Sequence, residues 1–216
     1  MANANAPAAL GCAIEVSVAT LNASNCTFRN NSAGPGGAVS VGFGTGNFFN
    51  CNFIDNSGTA QGGALDLNTN STYTVANCLV YNDQSNTNGG GIAIVFSAVG
   101  TIVNNTISEN TAGTGGGVFQ AGSGGDVTLY NNIIANNTGS SPDFAQIGPS
   151  FTANNNLIGD ASGSNITIGS NGNITGDPVF FSPAGGNYRL QDQSPDINDG
   201  DASLLPSDIL DVDGDG

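Results

Sequence analysis

The sequence predicts an all-β chain, a right-handed parallel β-helix of about six to seven coils with an irregular C-terminal cap. Three observations carry this. A glycine box recurs about every 26 residues, as Gly36-Gly37-Ala38-Val39, Gly62-Gly63-Ala64-Leu65, Gly89-Gly90-Gly91-Ile92 and Gly115-Gly116-Gly117-Val118, with a degenerate first copy at Gly11-Cys12-Ala13-Ile14. An asparagine box runs between the copies at the same pitch, as Asn25-Cys26-Thr27-Phe28, Asn50-Cys51-Asn52-Phe53, Asn77-Cys78-Leu79-Val80, Asn104-Asn105-Thr106-Ile107 and Asn131-Asn132-Ile133-Ile134. Short runs of alternating polarity fill the intervals. Repeats of this size cannot bury a hydrophobic face alone, so successive copies must stack and share one core.

Each coil reads as three short strands separated by turns. In the first, Ile14 and Val16, Val39 and Val41, Leu65 and Leu67, Ile92 and Ile94, and Val118 and Gln120 point inward. The alternating positions Glu15, Ser40, Asp66, Ala93 and Phe119 are expected to face solvent. The second strand sends Ala23, Phe48, Val75, Ile102 and Leu129 inward, and the third sends Phe28, Phe53, Val80, Ile107 and Ile134. Two columns mark the corners, Asn25, Asn50, Asn77, Asn104 and Asn131 before the third strand, and Asn31, Asn56, Asp83, Asn110 and Asn137 after it. Asparagine tolerates a left-handed backbone, and its amide can bond the coils above and below. Because every coil repeats the direction of the last, pairing is parallel and the winding is expected to be right-handed. Cys26, Cys51 and Cys78 share one position in successive coils, which predicts a column of small apolar side chains held as thiols; a bridge between adjacent coils is the other reading, because one strand spacing lies inside the disulfide range.

The period loosens after Asn137. A sixth coil is expected through Ser141–Gln146 and Asn154–Ile158, and a seventh strand at Asn165–Ile168. The chain therefore divides into repeats over 1–176 and an irregular acidic cap or exit segment over 177–216. Only ten residues precede the first glycine box, which leaves the first coil bare. The expectation is a piece of a longer array, or end-to-end self-association, because open parallel edges are normally protected.

Composition narrows the function. There are 17 acids against two bases, Arg29 and Arg189, for a formal net charge of −15, with no Lys, Trp or His. Nucleic acid would be repelled. No stretch is long and apolar enough to span a bilayer. The opening Met1–Asn5 lacks the basic flank and apolar run of a secretory leader, so an export signal is expected to lie outside this sequence. Without His, a serine or cysteine nucleophile has no imidazole base.

The alternation of Gly-Gly-Ala-aliphatic with Phe28-Arg29-Asn30-Asn31 and Phe53-Ile54-Asp55-Asn56 resembles the repeats of chlamydial polymorphic outer membrane proteins. The Asn-Cys-Thr-Phe box, together with Asp177-Pro178-Val179-Phe180, Tyr188-Arg189-Leu190 and Ser194-Pro195-Asp196-Ile197-Asn198-Asp199-Gly200, resembles the large secreted bacterial β-helix proteins of the choice-of-anchor type. The resemblance covers nearly the whole chain. It implies an extracellular or cell-surface location and a structural or adhesive role, with a cell-surface glycan or protein as ligand. Structural glycines, asparagines and core aliphatics carry it, so it says little about activity.

The alternative reading is a carbohydrate-active enzyme, a polysaccharide hydrolase or lyase using a groove on the first sheet. A lyase needs a Lys or Arg base in that groove, and neither arginine falls there. A hydrolase needs paired carboxylates, and Glu15 and Asp66 share the outward column two coils apart, about 9 to 10 Å at one strand spacing per coil. Nothing in the sequence is expected to raise the pKa of either, and no Trp offers a platform for a sugar, so no catalytic role is assigned. No cofactor is required. Asp211, Asp213 and Asp215 match the first half of an Asp-x-Asp-x-Asp-Gly loop, which makes them candidate calcium ligands.

Overall fold

The computed structural model describes residues 5–6, 13–122, 126–148 and 151–204. The chain winds into a parallel β-solenoid. Four columns of strands run its length, each with six strands, so about five complete turns separate the first strand of a column from the last. The first sheet stacks Ile14–Ser17, Val39–Gly42, Leu65–Asn68, Ile92–Ile94, Val118–Ala121 and Phe144–Ile147. The second stacks Thr20–Ser24, Thr45–Phe49, Thr72–Ala76, Val99–Val103, Val127–Tyr130 and Thr152–Asn154. The third stacks Thr27–Arg29, Asn52–Ile54, Leu79–Tyr81, Thr106–Ser108, Ile133–Ala135 and Leu157–Ile158. Helix is confined to two 3₁₀ turns among the described residues.

Register follows the predicted columns. Val39 pairs with Ile14 on one side and Leu65 on the other, Phe48 with Ala23 and Val75, and Phe53 with Phe28 and Val80. These side chains form one continuous interior in which Val39, Leu65, Phe48 and Phe53 are fully enclosed. Phe28 and Phe53 stack with centroids 4.9 Å apart, and Phe48 meets Phe53 edge-on at 5.7 Å. Burying each such side chain stabilises the fold by about 1.5–3 kcal/mol. The glycine boxes allow the turns to approach: a Cβ on Gly63 would lie 2.0 Å from the Gly90 carbonyl oxygen.

Two expectations need correction. Each coil has four strands, because a narrow corner sheet stacks Asn5–Ala6, Ser32–Ala33, Ser57–Gly58, Gln84–Ser85, Thr111–Thr114 and Thr138–Ser140. Most of its members are two residues long, too short for alternation to show in sequence. The seventh strand expected at 165–168 does not form. There Gly163 bridges Ala145 and Ile174 bridges Leu157, so the last turn is met by an irregular segment held through isolated contacts.

Each asparagine column supplies half of what was expected of it. Asn25, Asn50, Asn77, Asn104 and Asn131 all have left-handed backbone, with φ between 51° and 55°. Their amides lie outside the stack, where Asn131 and Asn155 hold the exit segment: Asn131 donates to the Asp201 carbonyl and Asn155 to that of Asp199, at 2.9 and 3.0 Å. The interior ladder at that corner runs one residue later, through Asn105, Asn132, Asn156 and Asn173. At the other corner Asn31, Asn56, Asp83, Asn110 and Asn137 are buried and bonded coil to coil, while the preceding residues Asn30, Asp55, Asn82, Glu109 and Asn136 take the left-handed backbone. The cysteine column is as expected: Cys26, Cys51 and Cys78 are free thiols, and the Cys51 N–H donates to Cys78 Sγ at 3.4 Å. They occupy the rungs that asparagine fills in later coils.

Past Asp177, strands Phe180–Ser182 and Asn187–Leu190 form an antiparallel hairpin. It packs along the outer flank of the third sheet, where Phe180 and Tyr188 join Ile133, Ala135 and Leu157. Tyr188 packs against Tyr81 with the rings tilted and their centroids 5.0 Å apart, and it donates its hydroxyl to Glu109 at 2.5 Å.

Candidate functional site: a cleft on the first sheet

Glu15, Ser40 and Asp66 fall in register on three successive first-sheet strands, as the periodicity predicts. Their surroundings differ from the expectation. Only Glu15 is exposed; Ser40, Asp66, Ala93 and Phe119 are all buried. The turns flanking the sheet rise above it, with Pro35 and Gln61 on one side and Phe43, Thr69 and Phe96 on the other, and they turn a flat face into a cleft of about 340 Å³. Further along, Val95, Phe119 and Ala145 pack into a small apolar cluster over the same face. The polar cleft is thereby confined to the first turns.

Asp66 forms its floor at 1% exposure. Oδ1 accepts from the Gln61 amide at 3.1 Å, and Oδ2 accepts from the Ser40 hydroxyl at 3.2 Å and from the Asn68 amide. The same Asn68 amide also donates to Ser40 Oγ at 3.2 Å. Desolvation opposes these donors and exceeds them, so the carboxyl is raised to about 6. The expectation that nothing would raise either carboxylate is thus corrected for Asp66. Loops contributed by neighbouring turns enclose it, and a column read along one strand does not contain them.

Two residues at the lip, and a third in line with them, escaped the sequence reading. Phe43 and Phe96 are 58% and 61% exposed, and both hold left-handed backbone, with φ of 54° and 52°. Val18 occupies the equivalent place one turn earlier, with φ 52°. Bulky residues in this region are genuine outliers, since Cβ crowds the carbonyl. The column was nonetheless present in the spacing: Phe43 N–H bonds the Thr69 carbonyl, and Asn70 N–H bonds that of Phe96, so the two rings stand two turns apart, about 9 to 10 Å at one strand spacing per turn.

Asp211, Asp213 and Asp215 lie outside the described residues. Among the described residues no group of three or more His, Cys, Asp or Glu side chains is placed to hold a metal ion, and no helix is long and apolar enough to cross a membrane. No family model, curated protein or solved structure matches this chain.

Proposed function

We propose that the chain is a non-catalytic structural or adhesive module of a secreted or cell-surface bacterial protein, a stiff rod whose first-sheet face is displayed to a ligand. The observation that carries this is the state of Asp66. A general acid or nucleophile must touch the reacting bond, and Asp66 is 1% exposed with both oxygens engaged by neighbouring side chains. Glu15 faces solvent two turns away, so the other carboxylate lining the cleft with it is the enclosed Asp66. The resemblance of the glycine and asparagine boxes to surface β-helix proteins supports the location. The acidic balance disfavours nucleic acid as a partner.

One observation favours the alternative, a polysaccharide hydrolase: a carboxyl raised to about 6 lies at the floor of a cleft. Reducing-end assays on neutral and acidic polysaccharides separate the two. Turnover abolished by both Glu15→Gln and Asp66→Asn would replace the proposal with the hydrolase; no turnover on any polysaccharide is the expected result. Electron microscopy of concentrated protein tests end-to-end fibre assembly, which isolated short rods at every concentration would rule out.

A further inference from the structure

Phe43 and Phe96 present large, mostly exposed apolar rings from strained backbone at the rim of one polar cleft, a costly arrangement in water. Strain of this kind collects at ligand clamps. Below the rings, Gln61 and Asn68 donate their amide N–H groups to Asp66, which fixes both amides. Their amide oxygens accept no hydrogen bond among the described residues. Glu15 adds an exposed carboxylate at the open end. The cleft therefore offers two apolar ring faces two turns apart above a row of oriented acceptors.

We propose that this cleft binds a neutral, hydroxyl-rich glycan, whose C–H faces stack on Phe43 and Phe96 and whose hydroxyls donate to Gln61, Asn68 and Glu15. The proposal rests on the display reading above and names the ligand class that the displayed face takes. A sugar ring has both surfaces the cleft demands, an apolar face and a hydroxyl edge. Polyanionic glycans are excluded by the net charge of −15 and by the lack of any Lys or Arg among the residues lining the cleft. A volume of about 340 Å³ lies at the small end of ligand clefts, about 300–1,000 Å³, and suits a slender chain better than a protein partner. Asp66 acts here as a positioning residue through the two amides.

The test is a printed array of neutral glycans followed by calorimetry with cellotetraose, laminaritetraose, maltotetraose and mannotetraose, with polygalacturonate as the charged comparison. Saturable binding of at least one neutral glycan, and none of polygalacturonate, is expected. Phe43→Gly and Phe96→Gly, which suit the left-handed backbone, should each weaken binding tenfold or more while the melting temperature holds or rises. The proposal is overturned if no neutral glycan binds, if polygalacturonate is preferred, if binding survives the double variant, or if the variants melt markedly earlier, which would make the rings structural. Cleavage of a bound tetraose would instead count against the non-catalytic reading and leave the glycan site standing. Absence of both binding and turnover would remove the site and leave the rod.

Discussion

Oδ1 of Asp83 accepts both the backbone N–H and the side-chain amide of Asn56, at 2.7 and 2.8 Å, while its Oδ2 is buried without a partner. At the asparagine rungs of this column the corresponding group is an amide that donates to a strand carbonyl of the preceding turn: Asn56 to Phe28, Asn110 to Val80 and Asn137 to Ile107, each at 3.0 Å. The carboxyl at this rung is fully enclosed, and burial holds it well above the usual carboxylate range.

Asp83→Asn should therefore stabilise the protein by about 1–3 kcal/mol at pH 7.5, because it restores a donor where an unpaired oxygen now lies. The unfolded carboxyl ionises from about pH 3.8 upward, and burial makes the folded one give up its proton only at higher pH, so the folded state loses relative stability as pH rises above the unfolded value. The gain from the substitution should be large at pH 7.5 and small at pH 3.5. Urea unfolding at the two pH values measures it; an equal gain at both would show that ionisation plays no part.

Asp66 sets a second pH dependence. Its folded value of about 6 against an ordinary 3.8 means the folded form binds the proton more tightly. Stability is full below about pH 4, falls as pH rises to about 6, and is then level, a loss of about 3 kcal/mol at about 1.4 kcal/mol per unit. Burial also raises Asp143 and Asp196, which reinforces the trend. The wild-type melting temperature should fall between pH 4 and pH 7, and Asp66→Asn should flatten that slope in part. Identical slopes for both proteins would contradict the assignment.

The outer asparagine column is a backbone device. Asn77 is exposed and has φ 53°, so Asn77→Ala should cost about 1–2 kcal/mol, since an ordinary L side chain resists the left-handed region. Asn77→Gly should be close to neutral. Thermal melts of the pair decide it; equal losses would place the role of Asn77 in its side chain.

Gly63 tests the closeness of the turns. Its substituent would meet the Gly90 carbonyl oxygen at 2.0 Å and the Gln84 nitrogen and oxygen at 2.6 Å, all backbone atoms that cannot swing aside. Gly63→Ala should destabilise by about 3 kcal/mol or more. Gly185→Ala, which meets only the Ser182 hydroxyl at 3.2 Å, should be tolerated. Comparable melting of the two variants would refute the crowding.

Much of the fold was legible because a solenoid writes its core as repeated columns. The pairings of Val39 with Leu65, Phe28 with Phe53 and Ile102 with Leu129 follow from spacing alone. Burial of the outward face was not legible. Asp66 is enclosed by Gln61 from one flanking turn and by Asn68 at the strand end, and the depth of that enclosure depends on how far the turns rise above the sheet. Nor does alternation distinguish a bonded amide from a left-handed one, which is why the ladder at Asn105 sits one residue past the column where it was expected. Phe43 and Phe96 were missed because irregular turns carry no alternation, although their two-turn spacing was there to be found.

The side-chain ladders share one direction. Asn31 donates to Asn56, Asn56 to Asp83, Asn110 to Asn137 and Asn137 to Asp143, and at the other corner Asn105 donates to Asn132, Asn132 to Asn156 and Asn156 to Asn173. Backbone dipoles in a sheet largely cancel, whereas these amides add. Along each ladder the side-chain oxygens face back toward the first turn, while each amide sends one N–H forward to the next rung and the other back to a strand carbonyl of the preceding turn. Anything that extends the stack in the same column must arrive in the same orientation, acceptor to donor.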